Sequence, residues 1–298
     1  MTWMMLAVLS AVFLGLYDVA KKVSVQENAV LPVLFACSAS GLVLLAPMAL
    51  TSLFAPTFAA RHGFALQSLP LAAHGLVFAK AMLVTLSWVL TYFALKHLPL
   101  SLASPIRASA PMFTLFGATL FFAERPSLRQ WLGIAIILCA YWIFSLIGRT
   151  EGIRFQKNPW VWSLFAGTLV GALSGLYDKH LLQSAKLPPL TMQFWFTAYN
   201  TVIQALIVRF LWWPRRANTT PFRFKPAIVA VAALLLLADA LYFQCLSMEG
   251  AMVGIVSTLR RTNVVLSFAV GALVFGEKNR GKKAFALAGI LAGIFLIV

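Results

Sequence analysis

Lys80, Arg107, Arg260 and Arg261 sit inside long apolar stretches of this sequence. A Lys or Arg at the centre of a bilayer-buried helix costs about 2.5–3.5 kcal/mol on insertion scales, so each needs a compensating partner or water. Arg209 also falls in such a stretch, near its end, where a long stem lets the charge reach the surface. Guanidinium groups present forked donors that match the oxygens of phosphate or carboxylate two at a time. Three arginines converging on one space are therefore suited to gripping an anion, with neighbouring hydroxyls and amides holding the rest of a small molecule.

The spacing strengthens this expectation. Ser104, Arg107, Pro111 and Thr114 fall at i, i+3, i+7 and i+10, one face of a helix. Ser257, Arg260 and Ser267 repeat three of these positions at an offset of 153, joined by Asn263 and Val264. The expected substrate-binding set is Arg107, Arg260, Arg261, Asn263, Ser104 and Ser257, with Lys80, Trp88, Tyr92, Tyr242 and Gln244 in second rank. Asp239 lies in mid-stretch, and Asp18 and Asp178 lie about a turn from the ends of theirs. Counted against Asp239 alone or against all three aspartates, the four deep cations leave positive charge over. The opposing reading is a fully neutralised structural network.

Tyr17-Asp18 returns as Tyr177-Asp178. These four residues and Asp239 are candidates for gating or coupling. The blander account is a local ion pair in each case, Asp18 with Lys21 and Lys22, and Asp178 with Lys179 and His180.

The elements that must carry these residues are membrane helices. The chain is 61% hydrophobic and 11% charged, with a mean hydropathy of +0.87; soluble domains are roughly 45–50% apolar. Ten apolar runs approach the roughly 20 residues that a bilayer requires: Met4 to Lys22, Val30 to Thr51, Pro70 to Leu95, Leu100 to Ala123, Arg129 to Gly148, Pro159 to Leu182, Leu190 to Trp213, Pro226 to Ser247, Ala251 to Gly276 and Gly281 to Val298. Leu16-Tyr17-Asp18 repeats at an offset of 160, and the segment from Ser104 to Glu124 repeats at 153. Such a period marks a duplicated bundle. The expected fold is an all-α membrane protein of ten transmembrane helices in two five-helix repeats, residues 1–148 and 159–298, joined by a polar linker at 149–158. An odd number of spans per repeat makes the two copies inverted.

Other classes fit poorly. The first run has neither a basic leader nor a small-residue cleavage site, so it is expected to remain as a helix. Cys37, Cys139 and Cys245 all fall in apolar spans and read as small buried hydrophobes. The net charge of +16 has no water-exposed domain on which to form a nucleic-acid surface. His62, His74, His97 and His180 show no metal spacing, and neither a Gly-x-Ser-x-Gly elbow nor a phosphate-binding loop is present. No enzyme activity, metal or cofactor is expected. The partners implied are a small-molecule substrate and the lipid bilayer, with the protein acting as a monomer. Glycines at four-residue spacing, Gly167, Gly171 and Gly175, and Gly289 and Gly293, read as helix-packing seams. Trp3, Trp131, Trp160, Trp212 and Trp213 fit interfacial belts. Fourteen Lys and Arg residues fall in the loops after odd-numbered spans and five after even-numbered ones, which places both termini outside by the positive-inside bias.

In these features the chain resembles the drug/metabolite transporter superfamily, of the ten-helix EamA-like kind. The matching elements are the five-plus-five duplication and an apolar helix ending in Phe121-Phe122-Ala123-Glu124 or Val274-Phe275-Gly276-Glu277, each followed by a basic loop and a Gly-rich final helix. The resemblance implies an inverted-repeat bundle that moves small metabolites through a central cavity by alternating access. It also implies cytoplasmic termini, against the loop charges. The sugar-phosphate translocator branch is similar in placing a basic residue on helix 4 and an adjacent basic pair on helix 9, where Arg107 and Arg260-Arg261 stand here. The arginine frequent on helix 2 of bacterial members is absent, with Cys37 and Ser38 near that place. Taken with the unpaired arginines, the expected function is a secondary transporter of a small phosphorylated or carboxylated anion, acting as an exchanger in a bacterial inner membrane. The alternatives are an exporter of amino acids or other neutral or zwitterionic metabolites, and a lipid-linked phosphate flippase.

Overall fold

The structure is a computed structural model that describes residues 2–97, 106–107, 109–148, 158–263, 266 and 280–297. Ser104, Val264, Ser267, Glu277 and linker residues 149–157 lie outside the described residues. All regular elements among the described residues are helical. They are α1 (Trp3–Val25), α2 (Val30–Phe54), α3 (Pro56–Arg61), α4 (Leu71–His97), α5 (Ala110–Phe122), α6 (Leu128–Gly148), α7 (Pro159–Lys179), α8 (Pro189–Ile207), α9 (Pro226–Ser247), α10 (Val253–Arg260) and α11 (Arg280–Ile297). Six of the helical stretches are long and apolar enough to cross a membrane, and shorter apolar helices accompany them. The protein is an integral membrane protein.

The sequence periodicity missed several breaks. The second span continues to Phe54, and the short α3 follows at once, started by Pro56, whose fixed φ and missing N–H suit a first turn. A π-helical turn at His180–Ser184 follows α7. A second, at Val208–Trp212, prolongs α8 into a 3-10 turn at Trp213–Asn218. The fourth span is interrupted at Ser109, and the ninth turns at Arg261 and Thr262.

Packing inverts the polarity of a soluble protein. Phe54, Leu71, Phe116 and Phe295 are exposed, whereas Ser10, Lys80, Asn200 and Asp178 are buried. In lipid every polar group must find its partner inside the protein, so the polar residues collect at the bundle centre. The closest helix pairs are α1 with α9, α4 with α7 and α6 with α11; α2 lies on α8, and α5 crosses α10. Small residues allow these approaches. A Cβ placed on Gly293 would lie 2.7 Å from the Gly133 carbonyl oxygen, and one on Gly133 would lie 2.7 Å from that of Gly293. One on Gly171 would meet Ser87 Oγ at 3.1 Å. Cys37 and Cys245 are buried, but Cys139 is exposed. It occupies the outward face of α6, where a thiol against lipid needs no partner.

Because backbone faces backbone between α6 and α11, Gly133→Leu has nowhere to put its side chain. We expect a loss of about 1–3 kcal/mol, the usual range for overpacking, read as a lower thermal midpoint in detergent. Gly75→Leu, which meets nothing within 4 Å, serves as the control.

Candidate functional site

The helix interruptions fall where the arginines are. Ile106 and Arg107 are helical and Ser109 turns; its N–H and hydroxyl both donate to the Ile106 carbonyl oxygen, at 3.2 and 2.6 Å. At the offset of 153, Thr262 does the same to the Leu259 carbonyl, at 3.1 and 2.7 Å. A tight turn of this kind departs from the regular ladder and is tolerated at membrane depth only where protein or a wet cavity surrounds it. The two broken helices cross where Ser257 Oγ donates to Thr114 Oγ1 at 3.4 Å.

Between them lies a cavity of about 220 Å³ lined by Arg107, Arg260 and Arg261. Ser257, Trp88, Tyr92, Tyr242, Lys80, Tyr17, Asp178 and Asp239 also line it, and Gly167, Gly171 and Gly175 of α7 form a flat wall. Asp18, Asn263 and Tyr177 are not among the residues that line it. Gln244 does not reach it: two residues beyond Tyr242 on α9, it is turned about 200° around the helix and is exposed.

Each arginine of the matched pair meets a carboxylate without being saturated. Arg260 donates through Nη2 to Asp239 Oδ1 at 2.9 Å, and its guanidinium stacks 3.9 Å from the Tyr242 ring centroid. Its Nε is buried with no hydrogen-bond partner among the described residues. Arg107 Nη2 lies 3.8 Å from Asp18 Oδ1, beyond hydrogen-bond reach. Asp18 is shared: Lys21 Nζ lies 3.6 Å away, and Asn263 Nδ2 donates to its other oxygen at 2.6 Å.

The local-pair reading of the two aspartates therefore divides. Asp18 does meet Lys21 three residues on. Asp178 meets neither Lys179 nor His180; its partner is Lys80 of α4, also buried, whose ammonium lies 4.4 and 4.9 Å from the Phe196 and Phe243 rings. Successive residues point about 100° apart on a helix, so Lys179 faces away from Asp178. It donates instead to Glu124 Oε1 at 2.6 Å and to the Ala251 carbonyl at 3.1 Å. Glu124 also accepts from the Val253 and Gly254 amides, at 2.6 and 3.3 Å. A carboxylate at a helix N-terminus is favourable, so this contact ties α5, α7 and α10 together.

Two lysines and one polar stripe lie where the sequence pattern does not place them. Lys21 and Lys179 count as loop residues in a charge tally, yet both are buried on helices. Their removal takes one from each side of the tally and leaves its bias. Lys21 also lines the cavity, with Tyr17 and Tyr92, whose hydroxyls are 3.0 Å apart, beneath its ammonium. The stripe is on α8: Gln193, Thr197, Asn200 and Gln204, all buried. Its i, i+4, i+7, i+11 spacing was the available signal. Gln193 Nε2 donates to the Leu236 carbonyl at 2.7 Å, and Asn200 Oδ1 accepts from Thr85 at 2.7 Å.

The helical bundle thus holds at its centre a cavity of about 220 Å³ lined by several basic side chains. The EamA-like transporter family matches over residues 1–146 and 158–298, the two halves of the chain. The chain belongs to the EamA-like transporter family. At that level it is a membrane transporter of small molecules and not an enzyme. A solved structure described only as the crystal structure of a protein is similar to it, with a TM-score of 0.69 at 17% identity, covering 99% of this chain and 97% of that one. That likeness concerns the fold. No curated protein matches this EamA-like chain.

The Lys80–Asp178 pair generates a stability prediction. Removing one member strands a buried charge, so Asp178→Asn should lose about 3 kcal/mol. Lys80→Met combined with Asp178→Leu should recover most of that loss in thermal unfolding, because the stranded ammonium is gone.

Proposed function

We propose that this protein is a secondary carrier for a small organic anion, phosphorylated or carboxylated, which it exchanges by alternating access between two inverted five-helix repeats. The observation that carries the reading is the matched pair of helix breaks, one from each half, that bring Arg107 and Arg260 to one cavity. A guanidinium with a buried, unpartnered Nε is an expensive group to leave empty, and an anion's oxygens satisfy it. Closing the bundle around bound anion is easier than closing it around bare cations. That difference favours exchange over net flux.

The packing pattern supports the inverted repeat. When each span of the first half is exchanged with its counterpart in the second, the α1–α9 contact becomes α7–α4. Likewise α4–α8 becomes α9–α2 and α5–α7 becomes α10–α1, while α2–α8, α5–α10 and α6–α11 map onto themselves. One detail breaks this symmetry in an informative way. Tyr17 and Tyr92 are hydrogen-bonded across the bundle; Tyr177 repeats Tyr17 at the offset of 160, and Tyr242 stands on α9, the span matched with α4, 150 residues after Tyr92. Tyr177 instead donates to the Leu76 carbonyl at 3.2 Å, and Tyr242 stacks on Arg260. One tyrosine contact is made and its twin is not, as expected of a carrier caught on one side of its cycle.

A second reading, export of amino acids or other zwitterions, draws on Asp178 and Asp239, which line the same cavity and are able to face an amine. A thermal-shift screen of phosphate esters, carboxylates and amino acids separates the two, since only a ligand of the folded form raises the midpoint.

In proteoliposomes, uptake of the anion so identified should rise when the same anion is inside. Arg260→Gln should lower uptake by about tenfold or more, the weight of one charge-assisted hydrogen bond. Uptake indifferent to internal anion sinks exchange, and unchanged uptake by Arg260→Gln sinks the anion site. For alternating access, Tyr17→Cys with Tyr92→Cys should be bridged fastest in ligand-free protein by a bifunctional thiol reagent long enough to replace the two phenol rings. Cysteines at 177 and 242 should gain cross-linking during turnover, while a pair indifferent to turnover argues against a moving gate.

A further inference from the structure

A second cavity, of about 530 Å³, lies away from the central one, between α2 and the turns that follow α8. Its walls are apolar: Phe35, Ala39 and Val43 of α2 face Trp212, Trp213 and Phe222. It is built, because the segment that closes it is pinned. Asn28 accepts from the Arg223 amide at 2.9 Å and donates to the Arg223 carbonyl at 2.7 Å. Lys225 Nζ donates to the Val23 and Gln26 carbonyls at the end of α1, at 3.1 and 2.7 Å.

Two features of the rim are unexplained by packing alone. The Trp212 indole N–H, on the groove wall, is buried with no hydrogen-bond partner among the described residues. A buried donor left unmet is unfavourable, and an acceptor oxygen would satisfy it. Arg209, Arg215 and Arg216 are exposed nearby in the chain and form no ion pair among the described residues; Arg216 stacks over the Trp213 ring at 4.2 Å. Uncompensated cations beside an apolar slot with a spare donor are complementary to a molecule with a hydrocarbon chain, acceptor oxygens and negative charge.

We propose that this groove is a binding site for an anionic phospholipid, with one acyl chain along α2, an ester or phosphate oxygen on the Trp212 N–H, and the head group held by Arg215 and Arg216. The site is independent of the central cavity and of what the protein transports. A zwitterionic lipid fills the groove equally well but brings an ammonium toward the arginines, so the selectivity is for net negative charge.

The test uses the full chain purified in detergent and exposed to mixed micelles of phosphatidylglycerol and phosphatidylcholine, with retained lipid read by native mass spectrometry. Phosphatidylglycerol should be retained about fivefold or more over phosphatidylcholine, the scale of one basic residue beside an anionic surface. Arg215→Gln with Arg216→Gln should abolish that preference. Ala39→Trp, which fills the groove and leaves the charges alone, should reduce retention of the anionic lipid to a similar degree. Soluble glycerol phosphate in excess should not displace it. Equal retention of the two lipids overturns the proposal, as does displacement by glycerol phosphate, or full retention by Ala39→Trp. Quenching of tryptophan fluorescence by phosphatidylglycerol brominated on its acyl chains provides a readout that needs no charge variant: it should weaken in Trp212→Phe with Trp213→Phe, and unchanged quenching overturns the groove site.

Discussion

Inside a bilayer a charge has no solvent to retreat to, and the arrangement of this protein follows from that one constraint. Each deep cation among those described is met by a carboxylate, an aromatic face or a cavity. Lys80 has Asp178 and two phenylalanine rings; Arg260 has Asp239 and Tyr242. The interior of the bundle is the only place where such partners collect, so the charged side chains determine which helix faces turn inward. The apolar faces turn outward with little to specify them beyond hydrophobicity, and small residues set how closely helices approach.

The same constraint explains why the helices break where they do. An interrupted helix frees backbone groups that lipid does not satisfy, so breaks belong beside the wet centre. Ser109 and Thr262 stabilise the turns by folding their hydroxyls back on the carbonyls three residues earlier. Each turn ends a helix on or just after an arginine, which places the guanidinium at the cavity and not along a helix flank. Glu124 works at the far end of the second broken helix, where its carboxylate meets the first amides of α10 and the Lys179 ammonium together. Charge, helix ends and cavity are thus one connected system.

Asymmetry between the halves is as informative as their likeness. Asp18 and Asp178 occupy equivalent places, yet one shares Lys21, Arg107 and Asn263 while the other pairs with Lys80. Two aspartates at repeat-related positions thus hold different partners, which accords with the proposal of a carrier whose two ends act in turn.

Much of this was legible one residue at a time. Apolar runs, the 153- and 160-residue repeats, the arginines at repeated positions and the glycine seams are statements about local composition and helical period, and they led to the family and to many, not all, of the side chains that line the cavity. What sequence left undecided is pairing. Asp178 finds a lysine 98 residues away in preference to its neighbour, Glu124 reaches a lysine and a helix end in the other half, Lys21 turns inward and Cys139 outward. The α8 amide stripe was readable by its spacing, but the groove beside α2 was not, since its wall comes from a segment pinned by Asn28. Local propensity and transfer free energy belong to a residue and its helix, whereas an ion pair or a cavity belongs to whatever the packed bundle brings within a few ångströms; only the tertiary structure decides that.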